Sequence, residues 1–134
     1  MKNKKMRAAA ANSAALANTI PLTLGLIANK WSVALLSSLR DAEKQTLRFS
    51  ELKKAQSGIS QRELTRHLRE FEKSGLVVRR VFPQVPPRVE YTLTPLGVSL
   101  FTPIEALSQW AILYGKQVQQ KRTAFAKSQA RGRK

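Results

Sequence analysis

Residues 57–75, SGISQRELTRHLREFEKSG, carry both ends of one helix and two unlike faces. Ser60 and Glu63 form an S-x-x-E capping box, and Ile59 is placed to staple onto Leu64 across the first turn. Gly75 stands where a left-handed residue closes a helix, with Leu76 able to reach back to Phe71 in a Schellman arrangement. Each such cap is worth about 1 kcal/mol, so both boundaries are well specified. At 100° per residue, Leu64, Leu68 and Phe71 fall in one sector and Arg62, Arg66, Arg69 and Lys73 in another, with centres about 160° apart. Gln61 and Thr65 flank the basic sector on one side, Glu63 and Glu70 on the other. His67 falls at the edge of the apolar sector and reads as a boundary residue.

Upstream, the pattern predicts more helix. Residues 8–18 are Ala-rich, with little to bury, and Pro21 is placed to open a short helix through Leu22, Leu24, Leu26 and Ile27. From Lys30 to Leu39, Trp31, Leu35 and Leu39 recur at helical spacing. Polar RDAEKQT reads as a loop, and Leu47–Phe49 as a short extended piece. Ser50 is then the expected N-cap of a brief helix that turns Leu52 and Ala55 inward. Downstream, LVVRRVF and RVEYTL flank proline-laden PQVPP, which predicts a hairpin with a stiff tip. Thr94-Pro95 restarts a helix as N-cap and N1, apolar at Leu96, Leu100, Ile104, Leu107, Ala111 and Tyr114, with a kink expected at Pro103. The order helix, helix, short strand, helix, helix, hairpin, helix is α+β, mainly α. A short helix, a turn at Gly58, a capped helix and a hairpin make a winged helix-turn-helix.

The 134 residues suit one domain with tails, and 24 Lys+Arg against 8 Asp+Glu give a net charge of +16. Such a charge implies a polyanionic partner. Four basic residues lie in the first seven and seven in the last nineteen, while every acid lies between these ends, leaving the middle at +5. The expected organisation is a basic, Ala-rich arm over 1–18, a winged domain over 19–115, and a basic tail over 116–134 that is disordered without a partner. The apolar runs fall short of a spanning helix, and the tails lack the apolar face that membrane binding needs, so no membrane partner is expected. The start MKNKKMRAAAANSAALA has the outline of a signal peptide. Asn12 and Ser13 interrupt its apolar part, and a basic helical arm is the expected reading.

The chain has no cysteine, which removes disulfides and thiol chemistry. His67 is the one histidine, so no His-based metal cluster or triad can be built within one chain, and no phosphate-cradling glycine loop is present. No enzyme and no cofactor are expected. The basic sector instead has the chemistry of base edges. Arg matches guanine, Gln matches adenine, and Thr bonds a base or packs on a thymine methyl, each good pair discriminating by about 1–3 kcal/mol. Ser60, Gln61, Arg62, Thr65, Arg66 and Arg69 occupy the side that would enter a major groove. Arg79, Arg80, Gln84 and Arg88 are candidates for the wing, with Arg80, Gln84 and Arg88 the expected contacts and Arg88, beside the stiff tip, the preferred one. Arg79 and Arg80 alternate, so one of the two can simply lie along the sheet surface. Lys30, Arg48, Lys53 and Lys54 are expected on phosphates.

The segments NKW (29–31), RFSEL (48–52), GISQRELTRHLREFEKSGLV (58–77), VFPQVPPRVEYTLTPLG (81–97) and PIEALSQW (103–110) resemble the HxlR-type winged helix-turn-helix regulators of bacteria. The likeness covers about Ile20 to Gly115. It implies a cytoplasmic, nucleoid-associated regulator, expected to be a repressor, that binds double-stranded DNA as a homodimer. In this family the first and last helices supply the dimer interface, here Leu22, Leu24, Leu26, Ile27, Phe101, Leu107, Trp110, Leu113 and Tyr114. Many members carry a cysteine just before the first-helix proline, and some use it to sense oxidants or aldehydes. Ile20 stands there in this chain, and thiol sensing does not carry over. The usual glycine-rich approach to the Lys-Trp pair is Ala28-Asn29. A dimer would set two reading helices about 34 Å apart, one turn of a pseudo-palindrome. An unidentified small-molecule effector could sit between the dimer helices. The rival reading is a nucleoid-type architectural protein with little sequence preference, favoured by the charged tails. An RNA binder is weaker, for want of exposed aromatics in the domain.

Overall fold

Leu35, Leu36 and Leu39 lose all solvent contact, as do Leu52, Leu64 and Leu68, and these six leucines are the centre around which the first part of the chain folds. The computed structural model describes residues 2–133. In order come α1 (Lys2–Ile27), α2 (Ser32–Asp41), a 3-10 turn (Glu43–Gln45), β1 (Thr46–Arg48), α3 (Phe49–Ala55), α4 (Gln61–Lys73), β2 (Val77–Phe82), β3 (Arg88–Leu93), α5 (Pro95–Ser99) and α6 (Phe101–Gly132). The strands form one antiparallel sheet in the order β1-β3-β2. The short extended piece therefore joins the hairpin as a third strand, pairing Thr46 with Thr92, Leu47 with Tyr91 and Arg48 with Glu90. The chain divides into two units, one ending at Val98 and one beginning at Ser99.

Polar side chains fix the joints of the first unit. Asn29 caps α2: its Oδ1 accepts from the backbone N–H of Trp31 and Ser32 at 3.0 and 2.9 Å, and its amide donates to Ser32 Oγ. Asparagine thus does at this turn what its local hydrogen bonds favour. Gln56 ties α3 to α2 through Ala34 O and Ser38 Oγ. Gly75, at φ 75, closes α4 as expected, with Leu76 N–H donating to Phe71 O at 2.9 Å and Gly75 N–H to Glu72 O at 3.1 Å. Thr94 caps α5 by accepting from Gly97 N–H, while its hydroxyl bonds the carbonyls of Gly75 and Leu76.

Several expectations need correction. Pro21 lies inside α1 rather than opening a helix. Its missing donor leaves one carbonyl unpaired on an exposed helix, where water serves instead, and the Ala-rich stretch before it supplies propensity. The cap of α3 is Arg48, whose N–H donates to Glu51 at 2.9 Å; Ser50 is already helical, and Ala55 is exposed. Pro103 occupies the third position of α6, where no intrahelical N–H bond is required, so the break falls at Leu100 instead.

No break occurs at Gly115. Residues 116–132 continue α6, consistent with a run of Lys, Gln, Arg and Ala free of proline, and the expected disordered tail is replaced by helix. Likewise, residues 2–18 belong to the same helix as residues 19–27. Met1 and Lys134, the outermost residues of the expected arm and tail, lie outside the described residues. Helix continuity also changes the membrane reading: the spans Lys4–Ile27 and Pro95–Gly132 are long and apolar enough, by length and composition alone, to cross a membrane.

Gly97 is buried, and a Cβ there would meet Leu76 O and come within 2.6 Å of Leu93 Cδ1. Gly97→Ala is expected to destabilise the chain by about 2 kcal/mol, read as a lower urea midpoint with an unchanged m-value.

Candidate nucleic-acid interface

The capping box begins α4, but its acid reaches further than expected. Ser60 Oγ accepts from Glu63 N–H at 3.0 Å, and the Ser60 hydroxyl donates to Glu63 Oε1 at 3.2 Å. Glu63 Oε2 takes the indole N–H of Trp31 at 2.7 Å, thereby fixing the start of α4 to the start of α2. Ile59 and Leu64 are both buried beneath this turn, as a hydrophobic staple requires.

Leu64, Leu68 and Phe71 face the core, and Gln61, Arg62, Thr65, Arg66, Arg69 and Lys73 are exposed, so the two sectors lie as the helical angles require. Five of these, Gln61 to Arg69, line one shallow outward groove. A second hollow of about 490 Å³ lies between α4 and the hairpin, where Gln61, Thr65 and Arg69 face Arg79 over a floor including Phe49 and Tyr91.

Strand register decides which wing arginine joins that hollow. Val77, Tyr91 and Leu93 are buried, and Arg79, two residues after Val77 and opposite Tyr91, shares their side. Arg80 points the other way, with Phe82, Arg88, Glu90 and Arg48. On that outer face the Arg88 guanidinium lies 4.0 Å and that of Arg80 5.0 Å from the Phe82 ring centre. Arg88 Nε approaches Glu90 Oε1 at 3.3 Å, close enough for an ion pair but not aligned as a hydrogen bond. Of the expected wing residues, Gln84 is exposed at the tip, Arg80 is on the face away from α4, and Arg88 is half-buried. Arg79, a candidate for the wing that is left out of the expected contacts, is the one that alternation from the apolar Val77 places on the α4 side.

Lys30, Arg48, Lys53 and Lys54 are exposed, as phosphate ligands must be. Lys30 Nζ sits 4.8 Å from the Trp31 ring centre, while Arg48 meets Gln84 and Arg88 around a third hollow of about 280 Å³. Lys53 and Lys54 close the last turn of α3, where the helix dipole favours cations. Two residues expected at a dimer interface are already covered within the chain: Ile27 is 6% and Phe101 5% exposed. They are withdrawn from that set. Leu22, Leu24, Leu107, Trp110, Leu113 and Tyr114 stay exposed, with Trp110 and Tyr114 ring centres 5.5 Å apart. Among the described residues no group of His, Cys, Asp or Glu could hold a metal ion.

His67 is a buried residue rather than a boundary one, at 8% exposure. Burial, and next the charge of Arg66, lower its pKa below 6.5, with Glu63 opposing. A lowered folded pKa means that the unfolded chain binds the proton first, so stability is lost as pH falls below 6.5. Wild type is expected to lose more stability than His67→Leu between pH 7 and pH values below the folded pKa, measured by urea denaturation across that range.

Comparison with known proteins agrees with this geometry. The model of the family described as HxlR-like helix-turn-helix matches residues 26–119. The chain is 44% identical over 97 residues to an HTH-type transcriptional regulator of Methanothermobacter thermautotrophicus, covering 72% of each chain. It is similar to the crystal structure of a transcriptional regulator of the MarR family from Enterococcus faecalis V583, with a TM-score of 0.65, 42% identity, and 77% of this chain and 91% of that one covered. The reduced form of the redox regulator HypR aligns with a TM-score of 0.65 and 35% identity, over 75% of this chain and 97% of that one. With a capped, arginine-faced second helix, a hairpin wing and a family match over most of its length, the chain belongs to the HxlR-like helix-turn-helix family of DNA-binding transcriptional regulators, which are not enzymes.

Proposed function

We propose that the protein is a sequence-specific repressor that binds a pseudo-palindromic operator as a homodimer. The observation that carries this reading is the exposed α4 face, where Gln61, Arg62, Thr65, Arg66 and Arg69 line one groove on a helix held by Glu63. With α4 in the major groove, Ser60 and Gln61 lead toward the bases, Arg62, Thr65, Arg66 and Arg69 follow, and Arg79 meets the backbone beside Arg69. Gln84, Arg88 and Arg80 take the wing side, and Lys30, Arg48, Lys53 and Lys54 the flanking phosphates. Exposed Leu22 and Leu24 on α1 and Leu107, Trp110, Leu113 and Tyr114 on α6, with the half-buried Leu26, are surfaces for a second copy. The same need for cover accounts for the apolar length of these helices without a membrane. Regulation is not thiol-based, because the chain has no cysteine. The protein works in the cytoplasm, on the nucleoid.

The basic residues of α6 beyond Gly115 add contacts without sequence preference. Lys116, Lys121, Arg122, Lys127, Arg131 and Arg133 are exposed, and they favour the rival reading of an architectural DNA coat. Fluorescence anisotropy with the upstream intergenic duplex and with random-duplex-selected sites, each against a shuffled copy at two salt concentrations, separates the two. A preference of about 10³ or more that persists at higher salt is expected. Equal affinity for all duplexes, selected sites included, would establish the coat instead.

Arg69→Ala is expected to cost about 1–3 kcal/mol of operator affinity and to relax preference at one base pair. Arg79→Ala should weaken operator and shuffled duplex alike, and should do so more than Arg80→Ala. Replacing Lys116, Lys121 and Arg122 with Gln should flatten the plot of log K against log salt by about 0.9 per lost phosphate contact. Light scattering at micromolar concentration is expected to give twice the chain mass, and Trp110→Glu with Leu113→Glu to give monomers.

A further inference from the structure

We propose that a cavity of about 370 Å³ between the end of α1, the start of α2 and α4 binds a small organic carboxylate with a compact apolar body. Three hydrogen-bond donors line it with no acceptor among the described contacts. Ser32 is 1% exposed; its Oγ accepts from Asn29 Nδ2, and its own proton is unused. His67, more than nine-tenths buried, makes no hydrogen bond among the described residues, only a ring contact with Phe71 at 6.4 Å. Arg66 lines the rim with no carboxylate paired to it among the described residues. The one acid at the cavity, Glu70, holds Lys73 at 3.5 Å. Burial, and next the charge of Arg66, disfavour the charged form of His67 against the pull of Glu63, so above pH 6.5 it offers one N–H rather than a charge.

An acceptor group with a single negative charge answers this donor set: its two oxygens can take the Arg66 guanidinium, the His67 N–H and the Ser32 hydroxyl. Leu26 and Phe71 supply the apolar wall, and the volume suits a molecule of about ten non-hydrogen atoms. Arg66 also lines the outward groove with Gln61, Arg62, Thr65 and Arg69. A carboxylate that holds Arg66 inward withdraws it from the DNA face. That consequence rests on the function proposed above, whereas the binding itself does not.

The test is thermal unfolding of the full chain with sodium 3-phenylpropanoate and, separately, 3-phenylpropanamide at matched ionic strength, each up to about 10 mM. A saturable rise in Tm with the carboxylate and none with the amide is expected. Gly25 lines the cavity, and a Cβ there meets nothing within 4 Å. Gly25→Leu should therefore fold, fill the cavity and abolish the rise, and His67→Leu should abolish it too. No saturable rise with either 3-phenylpropanoate or hexanoate overturns the site. So does an equal rise in Gly25→Leu, which would mark ordinary anion screening of a +16 chain. In anisotropy, about a fivefold or greater loss of DNA affinity with the carboxylate, absent in Gly25→Leu, supports the Arg66 coupling. A Tm rise without that loss keeps the site and overturns the coupling.

Discussion

The Glu63 carboxylate is the constraint on which the rest of the reading unit depends. One oxygen receives the Ser60 hydroxyl and the other the Trp31 indole, so a single side chain closes the start of α4 and ties it to the start of α2. A carboxylate at a helix N-terminus is favoured by the helix dipole, and the part-buried indole bond would leave an unsatisfied donor if the acid were removed. The orientation of α4 relative to α2 is thus set by directed hydrogen bonds as well as by leucines, which can slide. Gln56 and Thr94 do the same for α3 and α5, each joining two elements through a polar side chain that backbone groups satisfy.

What is legible in the sequence is the part governed by local rules. The caps of α4, its two faces, the hairpin with its proline tip and the Thr94 cap all follow from spacing within a few residues. What stays hidden depends on partners distant in sequence. The capping box shows Glu63 bonding back to Ser60, but nothing near Glu63 announces Trp31, which lies 32 residues away. The pairing of β1 with β3 spans more still, 46 residues from Thr46 to Thr92, and three residues of extended propensity cannot choose a sheet. Between α2 and β1, Lys44 and Gln45 adopt φ of 55° and 53° without a glycine to signal it.

Other differences arise when residue types are weighed without their position. Residue type alone makes Pro21 a helix start and Pro103 a kink, yet the effect of a proline depends on whether its N–H would have been used. Charge alone makes the C-terminal end a disordered tail, whereas alanine, lysine, glutamine and arginine are strong helix formers. In the wing, preferring Arg80 to Arg79 overlooks that alternation begins at the buried Val77, so the residue beside α4 is the odd-numbered one. In each case the physics is local, but the reference point lies in the packing.

The two faces of α4 are unequal in how much of the structure they hold. Its apolar side chains are core, while among its exposed ones the described bonds are few: Thr65 to the carbonyl of Gln61, and Lys73 to Glu70. Gln61, Arg62, Thr65, Arg66 and Arg69 can therefore be exchanged one codon at a time without disturbing the leucines behind them. On the function proposed above, duplicated copies of such a gene can drift toward new binding sites while sharing one frame. The address and the envelope are inherited separately.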